Sequence, residues 1–199
     1  MSAIPKRKLT ATEYLALDRA AEFRSEFLNS EMFAMAGASY EHNRINGNLS
    51  AAFGNALRGT QYSSLSSDMR VKTGLGDQYA FPDKIVICSE PQFEDGRRDI
   101  LLNPRVLIEI LSPSTEGYDR GAKFRHFRLI PTLQEVVFIS QFEAVCERHV
   151  RGPDDVWMLT TFSGLDAELV LTSVPVRVPL RDIDEGVPLM VGGSADLAK

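Results

Sequence analysis

Arg105 to Lys123, RVLIEILSPSTEGYDRGAK, is the stretch on which the reading of this chain turns. Val106, Leu107, Ile108, Ile110 and Leu111 form a nearly unbroken apolar run, the pattern of a strand covered on both faces. Glu109 sits inside that run, where an ionised carboxylate is costly unless something pairs with it. A second apolar run, Ile85 to Cys88, is entered through Phe81-Pro82-Asp83 and so has another acid at its mouth. Pairing of the two strands would let Asp83 and Glu109 meet near one end of a sheet. Two hard oxygen donors converging there call for a cation between them. Ser112-Pro113-Ser114-Thr115 ends the central strand, since proline cannot continue a ladder. Tyr118 to Leu129 then reads as a helix that carries Arg120, Lys123, Arg125 and Arg128 and stops at Pro131. That helix is expected to bring Lys123 beside the two acids.

Upstream of this stretch, Thr10-Ala11-Thr12-Glu13 matches a capping box and opens a helix to about Ala20, with Tyr14, Leu15 and Leu17 on one side. Arg24 to Met35 reads as a hairpin turning at Asn29-Ser30. After a break over Gly37 to Tyr40, Ile45, Leu49, Ala52, Phe53, Ala56 and Leu57 recur at helical spacing over His42 to Arg58, and Gly59 stands where a helix ends. Tyr62 to Thr73 suggests one or two strands, and Glu90 to Asp99 a surface loop. Downstream, Glu135 to Ile139, Glu143 to Arg151 and Val156 to Phe162 read as strands, while Pro175 and Pro179 confine Val170 to Leu180 to an edge. One domain over residues 9–188 is expected, with residues 1–8 and 189–199 as flexible termini.

The 199 residues suffice for a real core, and 44% hydrophobic with 25% charged is ordinary for a globular chain. The net charge of −5 argues against a broadly basic nucleic-acid coat but leaves room for a local basic cleft. Cys88 and Cys146 make neither a CxxC pair nor a disulfide framework, so reduced thiols and a cytoplasmic location are expected. No apolar stretch is long enough to span a bilayer, and the basic start MSAIPKRKLT lacks the apolar segment of a signal peptide.

Phe81-Pro82-Asp83, Ile108 through Thr115, and Tyr118-Asp119-Arg120-Gly121-Ala122-Lys123-Phe124, in this order, resemble a bacterial restriction-endonuclease-like family of the PD-(D/E)XK nuclease superfamily. Glu13-Tyr14-Leu15, Ser25-Glu26-Phe27-Leu28 and the Gly37 to His42 segment share the likeness, which covers roughly residues 9 to 180. The resemblance implies an α/β (mixed α+β) fold with a restriction-endonuclease-like core: a mixed central β-sheet flanked by helices, with additional C-terminal strands. It implies Mg2+, with Mn2+ able to substitute, and hydrolysis of phosphodiester bonds, in DNA by expectation. Asp83 and Glu109 would be the metal ligands, and Glu26 a third acid from the N-terminal part. The lysine usual two residues after the strand acid is replaced here by Leu111, which makes Lys123 the candidate. The turn Asn29-Ser30 departs from the family's usual Asp-Gly. Superfamily members are often dimers, and the late edge strands are available for such pairing.

Phosphodiester hydrolysis requires neutralised phosphoryl oxygens, an activated water and help for the leaving oxygen. Magnesium keeps several waters, so one or two carboxylates suffice as protein ligands. Lys123 is placed to orient the attacking water or to offset transition-state charge. Plainer readings stand beside these. Asp83 could be turn chemistry, Glu109 a buried ion pair, Lys123 a surface partner of Asp119, and Glu26 part of a solvated face. His42 could contact the site, though a helix-start histidine is more often structural, and Ser112, Ser114 and Thr115 could bind phosphate, with capping of the next helix the simpler role. The row of Arg120, Arg125 and Arg128 fits either phosphates or solvent. A catalytically inactive, nuclease-derived module that binds nucleic acid or a protein partner is the alternative to an enzyme.

Overall fold

The central apolar run becomes the eight-residue strand β8, Pro104–Leu111, and everything else packs around it. The computed structural model describes residues 8–190 apart from Ala36, Leu75 and Asp77. The rest of both expected flexible termini thus lies outside the described residues. Within them, Leu9 N donates to Ser30 O and Met190 N to Phe142 O, so both ends of the described chain are tied to the domain.

Ahead of β8 come α1 (Ala11–Ala20), β1 (Ser25–Leu28), β2 (Glu31–Ala34) and α2 (Tyr40–Leu57). Strands β3 (Tyr62–Ser66), β4 (Arg70–Thr73), β5 (Gln78–Ala80), β6 (Lys84–Cys88) and β7 (Ile100–Leu101) follow. After β8 a short helical run is built from α3 (Glu116–Tyr118), a π-helical segment (Asp119–Lys123) and α4 (Phe124–Phe127). Then come β9 (Glu135–Ser140), β10 (Val145–Arg151), β11 (Trp157–Ser163), β12 (Glu168–Val170), β13 (Arg177–Pro179) and α5 (Leu180–Ile183).

The main sheet has six strands in the order β11-β10-β9-β8-β6-β3. Only β8 and β9 in it run parallel; the other pairs are antiparallel. A second sheet of five strands, β2-β1-β5-β4-β7, stands beside it. The result is the expected mixed α+β architecture with helices on the main sheet.

Side chains of β8 alternate between two cores. Val106, Ile108 and Ile110 join Ile45, Leu49, Phe53 and Leu57 of α2. Leu107 and Leu111 join Phe127, Ile130 and Leu133 on the other side. Glu109 shares the parity of Leu107 and Leu111, so it faces the helical run that carries Lys123.

Several local readings change. Leu17 is 51% exposed, whereas Tyr14 and Asp18 form the buried face of α1; one polar residue at i+4 to an aromatic moves the stripe. Helix α2 begins at Tyr40 rather than His42, because Ser39 accepts from His42 N as the cap. Val170 to Leu180 is no single edge strand: β12 and β13 pair with each other as a separate two-stranded sheet, with Pro175 between them.

Candidate active site

Strand pairing sets the site. β6 runs antiparallel to β8 with Lys84 opposite Ile108, so the same register one residue further places Asp83 opposite Glu109. Residues directly opposite in an antiparallel pair point to the same face. Asp83 is locked at both oxygens: Oδ2 accepts from Ile110 N at 2.8 Å, and Oδ1 lies 2.9 Å from His42 Nε2. His42 therefore orients a site acid, the less common of the two readings open to a helix-start histidine.

Glu26 arrives from β1. Its Oε1 accepts from Phe81 N at 3.0 Å and its Oε2 from the Tyr118 hydroxyl at 3.1 Å. Lys123 lies between the acids: its Nζ is 2.8 Å from Glu109 Oε1, 2.9 Å from Glu26 Oε1 and 3.5 Å from Asp119 Oδ1. The pairing with Asp119 exists, but it is buried, not a surface pair. The π-segment explains how both residues turn inward. Phe124 N donates to Asp119 O, a bond five residues back, and the wider turn lets Asp119 and Lys123 share one buried side. Tyr118 and Asp119 are the other two side chains that the sequence did not single out for the site. The signal for them was the pair Tyr118-Asp119 just ahead of Lys123, which only the π-turn converts into contacts.

Burial pushes the Glu109 carboxyl well above the usual range; Lys123 pulls against that, while Asp119, Asp83 and Glu26 push further. Burial alone would discharge Lys123, yet the charges of Glu109, Glu26 and Asp119 outweigh it and hold the ammonium protonated. Burial also raises Asp119, and burial followed by the charge of Glu26 raises the Tyr118 hydroxyl. Three carboxylates thus surround one ammonium, with Asp83 close enough to act on Glu109, an excess of oxygen donors in a low-dielectric place.

That donor set fits a hard divalent cation. Among the described residues no three His, Cys, Asp or Glu side chains converge closely enough to hold a metal by themselves. Magnesium does not need three, because water fills its remaining positions. Asp83, just ahead of β6 and bonded to Ile110 N, and Glu109 in β8 are the two that would hold it. A thiolate or imidazole metal is a poor match, since the acids supply only oxygen.

Other candidates resolve plainly. Arg120 is engaged by Glu116 and Glu147, whereas Arg125 and Arg128 are exposed. Thr115 stands at the cap position of α3 without a side-chain cap bond; Ser112 Oγ instead contacts Ser114 and Thr115 hydroxyls. His149 packs its ring on Phe124 and Phe138. Cys88 and Cys146 are free thiols.

Residues 11–180 match the model of the Uma2 family, described as "Putative restriction endonuclease". An uncharacterised protein of Synechocystis sp. is 39% identical over 161 residues, covering 81% of this chain and 91% of that protein. A second one from the same organism is 31% identical over 183 residues, covering 92% and 95%. Among solved structures, a "putative nuclease" from Anabaena variabilis superposes with a TM-score of 0.73 at 18% identity, over 88% of this chain and 97% of that one. That likeness shows a shared fold.

Proposed function

Since the chain belongs to the Uma2 family of restriction-endonuclease-like proteins, we propose that it is a divalent-metal-dependent endonuclease that hydrolyses phosphodiester bonds in DNA. Mg2+ is the proposed ion and Mn2+ its substitute. The observation that carries the reading is Lys123 buried against Glu109 and Glu26, with Asp83 bonded to the backbone of Ile110, the residue next to Glu109. Asp83 and Glu109 would hold the ion, which when bound polarises the scissile phosphate and lowers the pKa of a coordinated water.

The chain's own groups do the rest. His42 and Ile110 N keep the Asp83 carboxylate in one orientation, so no reorganisation is needed when substrate arrives. Lys123 stays charged and is placed to face the extra negative charge of the pentacovalent phosphorus in the transition state. Glu26, held by Phe81 N and Tyr118, fixes that ammonium from the other side and is the acid proposed to complete a second metal position or to hold a water. Water adds to phosphorus, the ester oxygen leaves with a proton, and a phosphate monoester and an alcohol result.

One observation favours the alternative, an inactive nuclease-derived binding module: Lys123 is 4% exposed and already engaged by three acids. The two readings separate in one experiment. Millimolar magnesium or manganese should raise the melting temperature of the wild type but not of Asp83→Ala, and Glu109→Gln should keep the fold while losing cleavage by about 10²-fold or more. No metal-dependent shift, together with no cleavage, would leave the binding module.

A homodimer is part of the proposal. β11, the outer strand of the main sheet, holds no charged residue in Trp157–Ser163, and Met158 and Leu159 are each 53% exposed. Edges of this kind normally carry charge or proline unless they pair. Light scattering should give twice the chain mass for wild type and a monomer for Thr160→Lys. The free thiols support a cytoplasmic location, and among the described residues no helix is long and apolar enough to cross a membrane.

A further inference from the structure

Beside the acid cluster an aromatic ring is left uncovered. Phe33 lies opposite Glu26 in the β1–β2 register, on a strand that forms the edge of its sheet. Its ring is 5.9 Å from the Tyr118 ring, centroid to centroid, and the Tyr118 hydroxyl bonds Glu26 Oε2 at 3.1 Å. Phe33 is nonetheless 40% exposed. A solvent-facing ring therefore stands one side chain away from a candidate catalytic acid. A second ring, Tyr40, is 65% exposed on the first turn of α2, two residues before the His42 that holds Asp83. Residues two apart on a helix face different sides, so Phe33 is the ring placed against the cluster, on the Glu26 side.

Of the cations on the same elements, Arg125 and Arg128 are exposed at α4, on the far side of Lys123 from Phe33 in the chain, while those nearer the acids are engaged. Lys84 donates to Ser50 Oγ, Arg105 to Ser173 O, and Arg120 pairs with Glu116 and Glu147. Lys123 is enclosed by acids, and Arg24, just before β1, pairs with Asp68. The whole chain carries a net charge of −5. Gripping duplex DNA relies on many lysine and arginine contacts to a dense row of phosphates. Gripping unpaired strands relies much more on bases stacked against aromatic side chains. The second kind of surface is the one that borders this site.

Resting on the nuclease reading above, we propose that the substrate is single-stranded or locally unpaired DNA, and that Phe33 is the platform on which a nucleobase next to the scissile phosphate stacks. Phe33 takes no part in the chemistry; it positions the strand. A paired base has both faces covered by its neighbours in the stack and cannot use the ring.

The test uses the non-cleaving Glu109→Gln chain with magnesium and a short fluorescent DNA strand, free or annealed to its complement, read by anisotropy. The free strand should bind at least about tenfold more tightly than the duplex. Adding Phe33→Ala should weaken strand binding about 5- to 150-fold, the range of one lost base stack, whereas Phe33→Tyr should restore it. Melting temperatures should fall only slightly for Phe33→Ala and not for Phe33→Tyr, since the ring is 40% exposed and its covered part packs on Tyr118. Duplex preference, no binding of either form, or strand binding indifferent to Phe33→Ala would overturn the platform. The nuclease reading fails separately: a wild type that cuts no DNA but still shows the Phe33-dependent strand binding loses the enzyme and keeps the platform. A wild type that cuts duplex, with no effect of Phe33→Ala, does the reverse.

Discussion

Lys123 sets the charge balance of the site. Glu109, Glu26 and Asp119 each lie within 3.5 Å of its ammonium, and all four side chains are buried. Removing one partner from such an assembly leaves charges with neither water nor counter-ion, which costs about 3–5 kcal/mol. Lys123→Met should therefore be destabilised by about that amount at pH 8 in urea titration. The sign with pH follows from the acids. Burial already lifts Glu109 and Asp119 above their ordinary range, and without the lysine nothing offsets that rise. Protonation at lower pH relieves the repulsion, so the deficit should shrink toward pH 5. Divalent ion should also recover part of it at pH 8. Equal stability of mutant and wild type at both pH values would show that the acids do not depend on the ammonium.

At the scale of elements, the β1–β2 hairpin presents Glu26, Phe33 and the turn that joins them. Asn29 and Ser30 have φ of 50° and 67°, so both central residues are left-handed, the geometry of a type I′ turn. Asparagine tolerates that region; serine does so only with strain. Ser30→Gly should relieve it and stabilise the chain by about 0.5–1 kcal/mol, seen as a melting temperature raised by about 1–4 °C. The main helices needed no such adjustment. Thr10 and Glu13 close the capping box of α1, and Ile45, Leu49, Phe53 and Leu57 line the buried face of α2 as their spacing implies. The helical run after β8 is the exception. It carries two weak helix formers, Gly117 and Gly121, and its π-turn between Asp119 and Lys123 coincides with the convergence of four buried charges, which no local propensity encodes.

Across the whole molecule, pH acts through more than the site. Asp184, beside α5, is 6% exposed, and its Oδ1 has no hydrogen-bond partner among the described residues. Burial lifts its carboxyl to about 7. The folded chain thus holds a proton there that the unfolded chain releases near pH 4. Stability must then fall as pH rises from about 4 to about 7, by at most about 4 kcal/mol from this group. Asp184→Asn should be more stable than wild type at pH 8 and nearly equal to it at pH 4, by denaturant titration at the two pH values. No gain at pH 8 would mean that the carboxylate is solvated in the folded chain.

The sequence by itself determined the strands β6 and β8, their acids, the caps of α1 and the apolar faces, because each is written in the period and punctuation of neighbouring residues. It also determined that Lys123 stands on the element after β8. Only the tertiary structure decided that Glu26 bonds Phe81, 55 positions away, and Tyr118, 92 positions away. It alone tied His42 to Asp83 and turned Asp119 inward beside Lys123. Local pattern fixes which groups are available. Which of them share a buried charge depends on how distant segments dock, since an ion pair is formed through space and leaves no periodic trace along the chain.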